Sequence, residues 1–329
     1  MIISRTPFRI SFAGGGSDLE AFYARQEGCV LSTSINKYVY VLINPSPIKD
    51  QIIIRCSLTE YANWACQIKN PIVRPVLSLF GINTGIEIVS VSDILSGTGL
   101  GSSSAFITGL IYCLYRLRND FISKEDLAQM ACHIEIEELK KPIGKQDQYA
   151  VAYGGLNFIR FYPNGEVSVE PIVISDEKMA QLQDNLLMFF TGHVHKSGSI
   201  LTEQRQNTLS QSDKFHCLSQ MTQLAKDLKE VFYHGDLDDF GKILHEGWMR
   251  KKSLAKNISN DYIDFLYNRG IKEGKALGGK LLGSGGGGYL LFYCVPENQQ
   301  YLRRSLKELE ELHFEFDKTG STIILDKVQ

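Results

Sequence analysis

The sequence predicts a two-domain protein of the α+β class. Its 329 residues exceed the size of one ordinary domain, since domains commonly hold about 100–200 residues. Short β-branched runs dominate the first part of the chain, and long helical stretches dominate the part after about residue 180. We therefore expect the domains at 1–180 and 181–329.

Runs of β-branched residues and runs that alternate in polarity predict the strands. A Pro-rich turn at 44–47 separates the first two runs, and a hairpin is expected for 156–162 with 166–169, around the turn at 163–165. The predicted strands are 39–43, 51–55, 85–91, 156–162 with 166–169, 186–190, 289–295 and 321–325.

Two patterns predict the helices of the first domain. The stretch from 103 to 117 is apolar on every side and is therefore expected to be a buried helix. Ser123 fits the N-cap of the next helix, whose apolar stripe runs from Leu127 to Ile134. In the second domain, helices are predicted at 199–232, 236–255, 260–276 and 297–312.

Charge and cysteine content exclude several classes of protein. The net charge is −2, which argues against nucleic acid as the main partner because such proteins usually present a basic face. The seven cysteines are odd in number and form no CxxC motif, so reduced thiols in the cytoplasm are expected. No run reaches the roughly 18 apolar residues of a membrane span, so no membrane partner is predicted.

Three glycine-rich segments lie beside predicted strand or helix ends: 13–18, 96–105 and 283–289. Glycine permits positive φ and close approach to a ligand, and successive free N–H groups form a cradle for anions. The middle segment runs directly into the buried helix at 103–117. A helix N-terminus, serine hydroxyls and backbone N–H groups at one place suit a triphosphate with Mg²⁺. A capped core helix, the alternative, accounts for only one of the three serines.

Four segments resemble the motifs of the GHMP kinases, which include galactokinase, homoserine kinase, mevalonate kinase and phosphomevalonate kinase. Gly99-Leu-Gly-Ser-Ser-Ser-Ala105 resembles their phosphate-binding motif PxxxGLGSSAA, with Leu95 at the proline position and Ser104 at one alanine. The other matches, in family order, are the first motif at 7–18, the segment of the galactokinase catalytic aspartate at 145–148 and the third motif at 282–288. The resemblance implies the GHMP kinase fold, with an N-terminal ATP-binding domain like domain 2 of ribosomal protein S5 and a C-terminal ferredoxin-like domain.

The finer resemblance is to the D-glycero-D-manno-heptose 7-phosphate kinases. It implies ATP-dependent phosphorylation of the anomeric hydroxyl of that small-molecule sugar phosphate. Galactokinases carry an acidic pair where this chain has Gly15 and Gly16, and the missing carboxylate suits a substrate that already carries phosphate. The alternatives are another sugar 1-kinase, of the fucokinase or galactokinase type, and a non-catalytic sugar or nucleotide sensor.

The same resemblance implies the catalytic and nucleotide-binding residues. Asp147 is expected to accept the proton of the attacking hydroxyl, a surface aspartate being the alternative. Arg9 always carries charge and is expected to stabilise the transferring phosphoryl group, a surface arginine being the alternative. The ATP phosphates are expected at Gly97, Gly99, Leu100, Gly101, Ser102, Ser103 and Ser104.

The metal site has two possible carboxylates. Mg²⁺ takes oxygen ligands, and the resemblance implies Ser102, Ser103 and Glu135. Helical periodicity of about 100° per residue instead puts Glu138 nearer the centre of the apolar stripe. The spacing to Asp147 matches galactokinases for Glu135, so Glu135 is expected and Glu138 is the alternative.

The acceptor sugar is expected at Gly15, Gly16, Asp18, Lys145, Gly285 and Gly286. Asp18 fits hydrogen bonds to sugar hydroxyls, with a helix N-cap as the alternative. Lys145 is the candidate for binding the substrate's phosphate, and a solvated lysine is equally compatible with the sequence.

Overall fold

The computed structural model describes residues 1–194 and 198–327 and confirms the α+β class, with two β-sheets and helices packed against them. The strands are β1 (Ile2–Ala13), β2 (Gly28–Pro45), β3 (Ile52–Arg55), β4 (Thr59–Ala62), β5 (Ile86–Ser92), β6 (Leu156–Phe161), β7 (Val167–Pro171), β8 (Leu186–Phe190), β9 (Gly278–Leu281), β10 (Tyr289–Tyr293), β11 (Glu310–Glu311), β12 (Phe316–Asp317) and β13 (Thr322–Asp326). The α-helices are α1 (Glu20–Tyr23), α2 (Val73–Leu79), α3 (Ser102–Leu117), α4 (Lys124–Cys132), α5 (Gln146–Tyr153), α6 (Asp176–Asp184), α7 (Gly198–Ser210), α8 (Ser212–His234), α9 (Leu237–Lys251), α10 (Asp261–Lys272) and α11 (Gln299–Ser305). A π-helix spans His133–Glu138, and short 3₁₀ helices span Ala65–Gln67 and Pro296–Asn298. None of the helices in this described part of the chain has the length and apolar character needed to cross a bilayer.

The first sheet is built on the long antiparallel pair of β1 and β2. Its strand order is β13-β1-β2-β5-β3-β4, and β6 and β12 also pair with β2. The second sheet is antiparallel, in the order β11-β8-β10-β9. The last strand, β13, thus joins the first sheet, and the domain boundary near residue 180 stays a prediction.

Strand β1 is buried on both faces from Thr6 to its end, because α3, α5, α8 and α9 all pack against it. Successive side chains of a strand point to opposite faces. Phe8, Ile10 and Phe12 therefore share one face and lie in the core, which leaves the other face for Arg9 and Ser11. A strand that reads as mostly apolar thus carries Arg9 and Ser11 into the interior, in addition to the buried Ser4 and Thr6 nearer its start.

The two sheets share a continuous hydrophobic core. It extends from β1 and β2 to Phe240 and Leu244 of α9 and to Leu291 of β10. The rings of Phe12 and Phe240 meet edge to face at 5.1 Å, an arrangement that aromatic pairs favour. This core fixes α9 against β1, which matters for the site described below.

Two predicted helices differ in the structure. The stretch predicted at 199–232 is divided at Gln211, whose backbone is extended (φ −122°, ψ 116°) and separates α7 from α8. The stretch predicted at 297–312 ends as a helix at Ser305, and β11 then pairs with β8. Its lysine- and glutamate-rich sequence favours a helix, but burial of Leu306 and pairing with β8 decide the conformation.

Two glycines of α9 give a matched test of this packing. A Cβ at Gly241 would lie 2.8 Å from Leu277 Cβ and 2.9 Å from Tyr293 Cδ1, whereas one at Gly247 would lie 3.9 Å from Leu224 Cδ1. We expect Gly241→Ala to destabilise the protein by about 1–3 kcal/mol, because the Tyr293 ring is fully buried and the Leu277 Cβ is attached directly to the backbone, so neither can move aside freely. Gly247→Ala should raise stability by up to about 1 kcal/mol through its helix propensity. Urea unfolding of both variants measures the difference, and equal effects would contradict this packing.

Candidate active site

All three glycine-rich segments line one cavity of about 290 Å³. It lies where β1 ends and where α3 and α5 begin, and helices α7, α8 and α9 close its other side. Its lining includes most of the residues that the sequence predicted: Arg9, Gly15, Gly16, Asp18, Gly97, Gly99, Gly101, Ser102, Ser103, Ser104, Glu135, Asp147 and Gly285.

Arg9 and Asp147 form a bidentate ion pair in this wall. Nε of Arg9 donates to Oδ1 of Asp147 and Nη2 donates to Oδ2, both at 2.8 Å. Nη1 donates to the Gly99 carbonyl at 2.6 Å. Arg9 is 4% exposed, while the Asp147 side chain, in the first turn of α5, is 25% exposed. The carboxylate is therefore held rigidly and still reached from the cavity.

The loop before α3 takes the conformation that its glycines permit. Gly97, Gly99 and Gly101 all have φ near +85° (84°, 86° and 84°), and Gly101 is the N-cap of α3. Left-handed φ suits glycine, and at Gly99 a Cβ would also lie 2.5 Å from the Leu282 carbonyl oxygen. Leu100 was predicted to contact the nucleotide, but its side chain is buried in the core and its carbonyl accepts from the Arg9 amide at 3.0 Å. Leu100 anchors the loop.

Glu135 is fully buried and collects four hydrogen bonds. Oε1 accepts from the Ser103 hydroxyl at 2.7 Å and from Lys141 Nζ at 2.8 Å. Oε2 accepts from the Ser104 hydroxyl at 2.6 Å and from Gln148 Nε2 at 2.7 Å. These donors and the Lys141 ammonium compensate the cost of burying the carboxylate.

The π-helix at His133–Glu138 places the two predicted carboxylates in different surroundings. Leu139 N donates to the Ile134 carbonyl at 2.9 Å, a bond from residue i+5 to residue i. Because this turn is wider than an α-helical one, a constant 100° step fails here. Glu135 faces the cavity, while Glu138 is about half exposed beside His133 Nε2 at 3.3 Å. The periodicity argument for Glu138 is therefore not supported by the geometry.

Asp18 is buried and organises the start of α5. Oδ1 accepts from the Gly16 amide at 2.8 Å and from Gln146 Nε2 at 3.1 Å, and Oδ2 accepts from the Gln146 amide at 3.2 Å. Burial raises the pKa of this carboxyl, more than the backbone hydrogen bonds lower it. Gly16 (φ +101°) leaves room for Gln204, whose Nε2 would lie 2.4 Å from a Cβ there.

Two predicted acceptor residues lie outside the cavity wall. The Lys145 ammonium donates to the Gly165 carbonyl at 2.7 Å and lies over the Tyr23 ring. The Gly286 amide donates to the Ile258 carbonyl at 3.0 Å. The polar groups of both residues are thus already bonded to backbone carbonyls, one in the hairpin turn after β6 and one in the segment after α9, and their contact with the acceptor stays a prediction.

Three lysines and a serine of the wall escaped the sequence-based prediction: Lys141, Lys251, Lys280 and Ser11. A signal existed for two of them. Lys251 continues the buried stripe of α9 that includes Leu244 and Trp248, and Lys280 is the charged residue of a fully buried strand. A lysine at an apolar position is rarely buried without a specific reason.

Comparisons with known proteins agree with this architecture. Family models for the GHMP kinases N terminal domain and the GHMP kinases C terminal match residues 68–155 and 224–312, respectively. The chain is 27% identical to D-glycero-alpha-D-manno-heptose 7-phosphate kinase of Campylobacter jejuni, over 97% of each protein. It is 28% identical to the bifunctional fucokinase/GDP-fucose pyrophosphorylase of Arabidopsis thaliana, over 94% of this chain and 31% of that protein.

A solved structure gives the same result for the fold. The crystal structure of a D-glycero-D-manno-heptose 1-phosphate kinase from Bacteroides thetaiotaomicron has a TM-score of 0.80 at 23% identity, with both chains covered completely. The two family models together match more than half of the residues, and the predicted two-domain fold is confirmed. The chain belongs to the GHMP kinase family.

Proposed function

We propose that this protein is an ATP- and Mg²⁺-dependent sugar kinase that phosphorylates the anomeric hydroxyl of D-glycero-D-manno-heptose 7-phosphate. One observation carries the proposal: the Arg9–Asp147 pair, the N-terminus of α3 and Asp18 line the same cavity. The likeness to the Campylobacter jejuni heptose 7-phosphate kinase supports the choice of sugar.

The ATP phosphates belong at the loop from Gly97 to Gly101 and the start of α3. Successive glycines in left-handed conformation suit a loop that offers backbone N–H groups to an anion, and the N-terminus of α3 adds partial positive charge. The Lys141 ammonium, at 2.6 Å from the Ser103 hydroxyl, adds a full charge at the same place. Phosphoryl transfer depends chiefly on such positioning and charge stabilisation.

Glu135 and Ser103 fit a magnesium site. Their oxygens lie 2.7 Å apart, and carboxylate and hydroxyl oxygens are ligands that Mg²⁺ accepts. Lys141 Nζ contacts both of them, so the site already attracts a cation. When bound, Mg²⁺ would neutralise charge on the β- and γ-phosphates. Ser102, which also lines the cavity, completes the proposed set.

Asp147 is placed to accept the proton of the attacking hydroxyl. Its carboxylate is reached from the cavity, while the fork of Arg9 fixes its orientation. A guanidinium cannot take up that proton, and its positive charge stabilises the negative charge of the transferring phosphoryl group. Asp18 and Gln146 are placed to hold the sugar hydroxyls, and Gly15 and Gly16 leave space without adding a carboxylate.

The catalytic assignment is tested by Asp147→Asn. This change keeps size and removes the base, so we expect kcat to fall by about 10²–10⁴-fold. The thermal midpoint should also fall, because the buried Arg9 loses the charge of its partner, and activity is therefore compared at a temperature at which the variant is folded. Coupled assays of ATP consumption with heptose 7-phosphate measure it. Wild-type turnover on fucose or galactose and none on the heptose phosphate would point to the other sugar 1-kinases. ATP binding without turnover on any sugar would point to a sensor.

The metal assignment has a matched pair of variants, Glu135→Gln and Glu138→Gln. We expect Glu135→Gln to raise the Mg²⁺ concentration needed for nucleotide binding by at least about 10-fold. Glu138→Gln, at the exposed carboxylate three residues further along, should leave it unchanged. Calorimetric titration of nucleotide at several Mg²⁺ concentrations reports this without catalysis, and thermal melts check that both variants fold. Equal behaviour of the two variants would remove Glu135 from the metal site.

A further inference from the structure

Two lysines of the cavity wall are buried side by side on the C-terminal half of the chain. Lys251, at the end of α9, and Lys280, in β9, are 8% and 7% exposed. Lys280 Nζ donates to the carbonyls of Ser11 and Phe12 at 2.7 and 2.9 Å. Lys251 Nζ donates to the Gly283 carbonyl and lies 3.5 Å from that of Leu281.

These carbonyl contacts do not neutralise the charge of either ammonium. In the described ranges 1–194 and 198–327, neither lysine forms an ion pair with a carboxylate. Carbonyl oxygens satisfy some of the three donors of each ammonium but supply no negative charge. Burial accordingly lowers the pKa of Lys251 to about 8 and that of Lys280 well below its ordinary range. The charge of Arg9 lowers both pKa values further, and at Lys251 the Asp18 carboxylate partly opposes this shift. An anion bound in the cavity would offset the free-energy cost of burying these two positive charges.

A third group points to the same place. Ser11 follows Arg9 on the inner face of β1 and is 7% exposed, and its hydroxyl has no hydrogen-bond partner in the described part of the chain. A Cβ at Gly15 would lie 3.6 Å from this hydroxyl, and the Ser11 carbonyl is one of the acceptors of Lys280. A buried hydroxyl without a hydrogen-bond partner lowers the stability of the protein, and a ligand that hydrogen-bonds to it would remove that cost.

We propose that Lys251, Lys280 and Ser11 form the receptor for a phosphate group that the acceptor sugar already carries. The proposal rests on the sugar kinase function given above and specifies its substrate class as phosphorylated sugars. Two ammoniums and a hydroxyl offer charge and donors that suit a dianionic phosphate.

The distribution of charge in the cavity indicates that the two lysines bind the phosphate of the acceptor sugar and not those of the nucleotide. The nucleotide end has its own cation, Lys141, together with the N-terminus of α3. Lys251 is instead near enough to Arg9 and Asp18 for both to influence its pKa, and Asp18 belongs to the proposed sugar side. The lysine pair therefore adds positive charge beyond what ATP requires.

The test uses Lys251→Met, Lys280→Met and Ser11→Ala, with Lys145→Met as the matched control. We expect each lysine variant to raise KM for heptose 7-phosphate by about 10- to 100-fold. KM for ATP and for the unphosphorylated heptose should stay within about 3-fold of wild type, and Lys145→Met should change none of the three. Ser11→Ala loses no hydrogen bond of the free protein, so it should fold normally and still raise KM for the phosphorylated sugar. This last variant keeps the test informative if Lys280→Met fails to fold.

Two outcomes would overturn the receptor. A rise in KM for ATP would assign the lysines to the nucleotide, and equal losses on both sugars would make them structural braces of β1. Calorimetry separates failure of the phosphate receptor from failure of the proposed kinase function. Inorganic phosphate is titrated into the protein after the nucleotide site has been saturated with a non-hydrolysable ATP analogue. Phosphate binding that is lost in Lys251→Met supports the receptor even without turnover, and no binding to wild type contradicts it.

Discussion

The fork of Arg9 is the interaction on which the cavity depends. Its three nitrogens connect β1 to the start of α5 and to the loop before α3, segments that are 138 and 90 residues away along the chain. A buried guanidinium is tolerated only when its donors and its charge are matched, and a lysine could not reproduce the bidentate geometry. The loop, the base and the strand are thus held in place before any substrate arrives, which is the condition for electrostatic preorganisation.

The glycine loops could be predicted from the sequence because a left-handed backbone conformation usually requires glycine. That requirement indicated Gly97, Gly99 and Gly101. The resemblance of the four motifs then indicated Asp147 and Arg9. The sequence did not reveal that the first and third motifs both contact the middle one. A Cβ at Gly283 would lie 2.3 Å from Gly99 Cα, so these glycines serve backbone packing as well as ligand access.

Other features depend on geometry that local patterns do not encode. Constant helical periodicity misjudged Glu138 because the π-turn from His133 to Glu138 changes the angular step. Lys251 and Lys280 occupy positions that read as apolar, and their meeting requires α9 and β9 to be packed together. The stretch after Ser305 has helical composition, yet pairing of β11 with β8 prevails. Long-range packing decides each case, and single-sequence propensity carries little information about it.

The pairing of β13 with β1 has a consequence for synthesis on the ribosome. Ile2 to Arg5 leave the ribosome before their partners, from Thr322 to Asp326, which follow some three hundred residues later. At about 5–20 residues per second, this flank of the leading strand waits many seconds with its amide and carbonyl groups unpaired. An exposed strand flank invites pairing with foreign chains. The nascent polypeptide therefore has a vulnerable interval that closes only when β13 has been synthesised and pairs with β1.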